Sequence, residues 1–157
     1  MGYAETTKGL MKRSYEEQSA RARELALHGG VNDIAQLCDM AVRAKSYGVR
    51  LSWGTAASEI IYREGKSGPL DNEVVDTILG IIRFVNPEKA PSVLLVLGAL
   101  GGEKQWLWLG RLLRDPRTMV RIGAVSAVKR RVLSHDSLED EGMEHRVKSW
   151  LSDGKLG

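Results

Sequence analysis

Apolar and polar positions along this 157-residue chain recur with a helical period, and almost nowhere with the two-residue alternation of a strand. Ser14 and Glu17 have the spacing of a capping box, and a helix from there runs to about His28, where Gly29-Gly30 stops it. Its apolar content is thin (Ala20, Ala22, Leu25, Ala26), which suits a helix at the end of a structure. Asn32 is placed to cap a second helix, with Ile34, Leu37, Ala41 and Val42 on one stripe and an end near Gly48. A third is predicted from about Arg50 to Gly65, with Leu51, Ala57, Ile60 and Ile61 inward, followed by the turn "GKSGPLD" at 65–71. Val74, Val75, Ile78, Leu79, Ile82 and Val85 mark a fourth helix, closed by Asn86-Pro87.

Pro91 suits the first turn of the next helix, where its missing N–H costs nothing. That helix, 91–100, is apolar nearly all round and is predicted to be the most enclosed element, ended by Gly101-Gly102. Another follows through Trp106, Leu109, Leu112 and Leu113 to Asp115-Pro116. The next spans about 118–132 with Ile122, Val125 and Val128 inward, and a last one, about 138–152, uses Met143, Val147, Trp150 and Leu151. The pattern predicts an all-α chain of about eight helices and no sheet.

Parts of the pattern repeat. "YGVRLSWGTAA" (47–57) overlays "TMVRIGAVSAV" (118–128), with Val49-Arg50 on Val120-Arg121 and Leu51 on Ile122. "NPEKAPSVLL" (86–95) overlays "DPRTMVRIGA" (115–124), with Asn86-Pro87 on Asp115-Pro116. The first offset, 71 residues, is two units of about 35, an interval at which helix pairs recur in α-solenoids. One such pair buries too little apolar surface alone, so neighbours share a core.

On Leu112-Leu113, Asp115, Val120, Arg121 and Ala124 the chain resembles the HEAT-repeat family, including its short phycobilisome-lyase-type variant. The likeness covers roughly 32–132. The first unit departs from it with Ala44 at the Asp position, and the second has Asn86 there and Pro91-Ser92 for Val-Arg. It implies a right-handed solenoid as one helical-repeat domain over 1–157. Residues 1–30 would form an N-terminal capping helix, 31–132 three helix pairs, and 133–157 a C-terminal cap. It also implies that Asp115 and Arg121 pair between units as structural residues.

Composition adds exclusions. Cys38 is the single cysteine, so neither an internal disulfide nor a Cys-rich zinc site is expected, and a buried thiol is the simplest reading. The opening residues lack the apolar segment of a secretory signal, and the strongest apolar run, "VLLVLGAL" at 93–100, is far below the ~20 residues that cross a bilayer. A cytoplasmic protein with no membrane contact is expected. "GKS" at 65–67 is not a phosphate loop, because Ile60 stands where its first glycine belongs.

Charge is uneven. Residues 1–102 balance, 103–131 hold eight bases against two acids, and 132–157 hold three bases against six acids. The basic segment supplies Arg111, Arg114, Arg117, Lys129, Arg130 and Arg131. In the last turn of a helix such charges oppose the dipole; on a surface they meet a partner. Trp106 and Trp108 lie about 200° apart around a helix, so one of them faces outward, where tryptophan is a common interface anchor. These eight residues are the candidate partner-binding set. His135-Asp136 lies among acids with no nucleophile to activate, and His28 and His145 lack partners at ligand spacing, so no catalytic residues, metal or cofactor are expected.

The leading expectation is a non-enzymatic protein–protein adaptor or complex subunit with a concave surface and a basic edge. The alternative is a nucleic-acid-binding protein or ribonucleoprotein subunit using the 111–131 cluster, as some HEAT-like proteins, including a class of DNA glycosylases, bind DNA on basic concave faces. An enzyme built on the repeat is the third reading, and no residue constellation supports it.

Overall fold

A computed structural model of the chain describes residues 6–83 and 86–134. Among these the protein is all-helical: α1 Thr7–Met11, α2 Tyr15–His28, α3 Val31–Arg43, α4 Tyr47–Gly65, α5 Asn72–Ile81, α6 Ala90–Leu100, α7 Glu103–Leu112 and α8 Thr118–Ser134, with a 3-10 turn at Pro87–Lys89. The expected helix at 138–152, Val85 and Trp150 lie outside the described residues.

Short polar side chains set most of the helix starts. Ser14 Oγ accepts the Glu17 N–H at 3.1 Å, while the Glu17 carboxylate accepts from the serine hydroxyl rather than reaching back to the backbone. The apolar pattern does not reveal α1; Thr6 Oγ1 caps it through Gly9 N–H at 3.0 Å, and Leu10 is buried in the shared core. α3 starts one residue before the predicted cap, because Asp33 accepts the Gly30 N–H at 2.9 Å and leaves Asn32 inside the first turn. The break after α3 comes at Ala44–Ser46 and not at Gly48, since Ser46 Oγ caps α4 through Val49 N–H.

The helices α2, α4, α6 and α8 pack side by side in chain order, α2 on α4, α4 on α6 and α6 on α8, while α3 covers α4 and α5 lies against α3. α6 is buried from Ala90 through Ala99, as its all-round apolar sequence requires. Helix ends show that these neighbours run parallel. Arg63 of α4 donates to the Ala26 and Gly29 carbonyls at the end of α2, and Arg131 of α8 donates to the Ala99 carbonyl at the end of α6 at 3.0 Å. Each arginine satisfies carbonyls that a helix C-terminus leaves without intrahelical partners.

The overlaid segments share local geometry. Arg50 Nη1 donates to the Ala44 and Lys45 carbonyls, both at 3.0 Å, and Arg121 Nη1 to the Asp115 and Pro116 carbonyls at 2.8 and 3.0 Å. Asn86 Oδ1 accepts from Glu88 N–H and Asp115 Oδ1 from Arg117 N–H, both at 2.9 Å. Two expectations need correction. The Asp115 carboxylate pairs with Arg117, two residues on, while Arg121 takes the Asp115 carbonyl oxygen. Ile122 is 45% exposed, not inward. The buried stripe of α8 is Val120, Gly123, Ala124, Ala127, Val128 and Arg131, because its small residues let α8 approach α6 closely. A Cβ on Gly123 would lie 3.0 Å from the Ala90 carbonyl carbon.

The Asp115–Arg117 pair makes stability depend on pH at the acid end. Its side-chain hydrogen bond with Arg117, then the Arg117 N–H, lower the Asp115 pKa to about 2. The folded value lies below the unfolded one, so the contribution is complete above the ordinary carboxylate range near ~4 and is lost as pH falls toward about 2. Asp115→Asn is therefore expected to lower Tm by a constant amount above pH ~5 and to converge on the wild type only as pH falls to about 2 and below. Thermal melts across that range check it; a gap that stays constant down to pH ~2 contradicts it.

Candidate functional site

α7 has two distinct faces. Trp106, Leu109 and Leu112 point into the core, while Lys104, Leu107, Trp108 and Arg111 stand on the exposed side, continued by Arg114 beyond the helix. These positions follow the three- and four-residue steps of one helix face. Trp106 is 2% exposed, Trp108 37% and Leu107 41%, so the two tryptophans split as their angular separation demands. Glu103 is the acid at the head of this face, in the first turn. Leu107 and Lys104 are not among the candidates read from sequence. The signal is present there, since any residue beside Trp108 on the face opposite Trp106, Leu109 and Leu112 must also point outward.

The structure divides the basic candidates. Arg111, Arg114, Arg117 and Lys129 are exposed, and Arg117 is engaged with Asp115. Arg130 of α8 pairs with Glu59 of α4, and partial burial holds its guanidinium below the usual arginine value. Arg131 is 3% exposed. Its guanidinium carbon sits 5.7 Å from the Tyr62 ring centroid and 6.0 Å from that of Trp106, a cation–π geometry. Burial pushes the Tyr62 phenol up to about 12, with Arg131 opposing the shift. Arg131 thus tethers α6 to α8 and does not present its charge on the outer surface with Lys129.

Lys129, Arg130 and Arg131 are consecutive, and on a helix three successive residues spread over about 200°. One points out, one bridges to α4 and one points in. They do not form a single patch.

No group of three or more His, Cys, Asp or Glu able to hold a metal occurs among the described residues, and His135-Asp136 and His145 lie outside them. Cys38 is fully buried, and burial, with the Asp39 charge, pushes its thiol up to about 12. No helix among the described residues is long and apolar enough to cross a membrane. Comparison of the chain with protein-family models, curated proteins and solved structures finds no match.

Proposed function

We propose that this chain is a non-enzymatic helical-repeat adaptor that binds an acidic protein segment on the outward face of α7. In this reading α3–α4, α5–α6 and α7–α8 are three stacked helix pairs. The in-order, parallel packing of α2, α4, α6 and α8 and the shared arginine-to-turn bonds of Arg50 and Arg121 support it. The observation that carries the functional reading is the exposure of Leu107 and Trp108 on one face between Lys104 and Arg111. Apolar side chains flanked by Lys104, Arg111 and Arg114, with Glu103 as the one acid at the head of the face, match a partner with apolar anchors and carboxylates. Phosphate binding by the 111–131 cluster has less support, since Arg117, Arg130 and Arg131 are each engaged within the fold.

Photocrosslinking from position 107 in cells identifies the partner, whose affinity is then measured in solution. Trp108→Ala is expected to weaken binding about 30-fold with an unchanged circular dichroism spectrum, as a central tryptophan anchor does. Arg111→Glu is expected to weaken it further at low salt than at high salt. Unchanged affinity in both variants contradicts the reading. So does tight, salt-dependent binding of labelled duplex or single-stranded nucleic acid that Arg111→Glu and Arg114→Glu abolish.

A further inference from the structure

α5 carries more apolar surface than the fold uses. Of the ten residues Asn72–Ile81 only Ile78 is buried, while Val74, Val75 and Leu79 stay half-buried. Between this helix and α3 opens a groove of about 290 Å³, walled by Val31, Ala35, Val74 and Ile78, with Glu73 and Thr77 among its polar groups. That volume falls just below the range of about 300–1,000 Å³ typical of small-molecule sites, and it suits one aromatic side chain better than a whole ligand.

The charge here is the reverse of that on α7. Asp71, Glu73 and Asp76 are exposed, no basic residue stands between Asp71 and Ile82, and the groove's described lining holds Glu73 and no cation. Among the described residues no ion pair engages Glu73 or Asp76, nor Lys104, Arg111 or Arg114 on the α7 side. Charge beside apolar surface is thus present twice on one chain, once of each sign. Trp108 is the projecting apolar group of the basic face, and the α3–α5 groove is the recess of the acidic one. Opposite charges draw two such surfaces together, and like charges keep each from meeting a copy of itself.

We propose that the acidic partner of the α7 face is a second copy of this chain, with Trp108 of one copy seated in the α3–α5 groove of the other and Arg111 against Glu73. The inference rests on the α7 docking reading and names its partner. The two surfaces differ, so the contact is heterologous: one copy gives the tryptophan and the other gives the groove. The indole buries apolar area against Val31, Ala35 and Val74, while the charge pair at the rim fixes its orientation and makes the contact salt-sensitive.

Sedimentation equilibrium of the full chain tests it. The mean mass is expected to rise above that of one chain between ~5 and ~500 µM at low salt, and to fall back toward it as salt is added. Trp108→Ala and Glu73→Arg, both at exposed positions, are each expected to weaken self-association about tenfold or more with unchanged circular dichroism spectra. Each variant keeps the half that the other lacks, so an equimolar mixture of the two is expected to form a dimer that neither forms alone. A wild-type chain that stays monomeric throughout, wild-type self-association in Glu73→Arg, or a mixture no heavier than its components overturns the proposal. If Trp108→Ala then still loses the crosslinked partner, the α7 reading stands with a different protein on it.

Discussion

Trp53→Ala is expected to destabilise the fold by about 3–5 kcal/mol and to lower Tm by roughly 10 °C or more. Trp53 is fully buried within α4, and its indole Nε1 donates to Gln18 Oε1 at 3.2 Å. Gln18 is itself buried on α2, and its amide nitrogen donates to the Arg13 carbonyl at 3.0 Å. Truncation therefore opens a cavity between two helices and strands a buried acceptor at its edge. Trp53→Phe separates the two effects: it keeps most of the volume and loses only the hydrogen bond, for an expected cost of about 1–3 kcal/mol. Denaturant unfolding measures both, with alkylation of Cys38 as a second readout, because a buried thiol pushed up to about 12 reacts only when the core opens. A Trp53→Ala variant within about 1 kcal/mol of wild type would show that the α2–α4 contact contributes little.

Gly54→Val is expected to be comparably severe, about 3 kcal/mol or more, for the opposite reason. A Cβ at Gly54 would stand 2.8 Å from the Ser92 carbonyl oxygen and 3.0 Å from its Cα, both backbone atoms of α6. Neither atom can turn aside as a flexible side chain does, so α4 and α6 must separate, and the contacts spread along their interface loosen together. Gly80→Ala is the internal control. Gly80 is exposed in α5 with open space where a methyl group would stand, so the substitution is expected to stabilise by about 0.5–1 kcal/mol through helix propensity alone. Paired unfolding curves check the contrast; a Gly54→Val protein as stable as wild type would mean that α4 and α6 do not approach as described.

Much of this arrangement was legible in the sequence because helix periodicity is a local property. The stripe Ile34, Leu37 and Ala41, the all-round burial of α6 and the split between Trp106 and Trp108 each follow from spacing along one element. The likeness of Arg50 and Arg121 was also visible, as an overlay at 71 residues, although Arg121 takes turn carbonyls, as Arg50 does, and not the expected Asp115 carboxylate. The candidate site was legible only in part. Arg111 and Arg114 are outward, and of the two tryptophans it is Trp108 that faces outward, whereas Trp106 is in the core and Lys129, Arg130 and Arg131 diverge.

The failures share a cause. Counting apolar residues turned α8 so that Ile122 faced the core, but its approach to α6 is governed by Gly123, Ala124 and Ala127, whose smallness brings the two backbones together. That orientation turns Arg131 inward, where the Ala99 carbonyl and two aromatic rings receive it. A guanidinium in a core cannot be foreseen from its neighbours in sequence, since the groups that receive it lie about 30 and 70 residues away.

The order of residues by itself determined where helices form, which of them is enclosed, and that α7 must carry an aromatic residue outward, because each depends on steps of three or four along one chain segment. Only the tertiary structure decided which face of α8 meets α6, which arginines are surface charges and which are tethers, and that α3 and α5 leave a groove between them. Those outcomes depend on distances between segments far apart in sequence, where close packing of glycine against backbone outweighs the hydrophobicity of any single side chain.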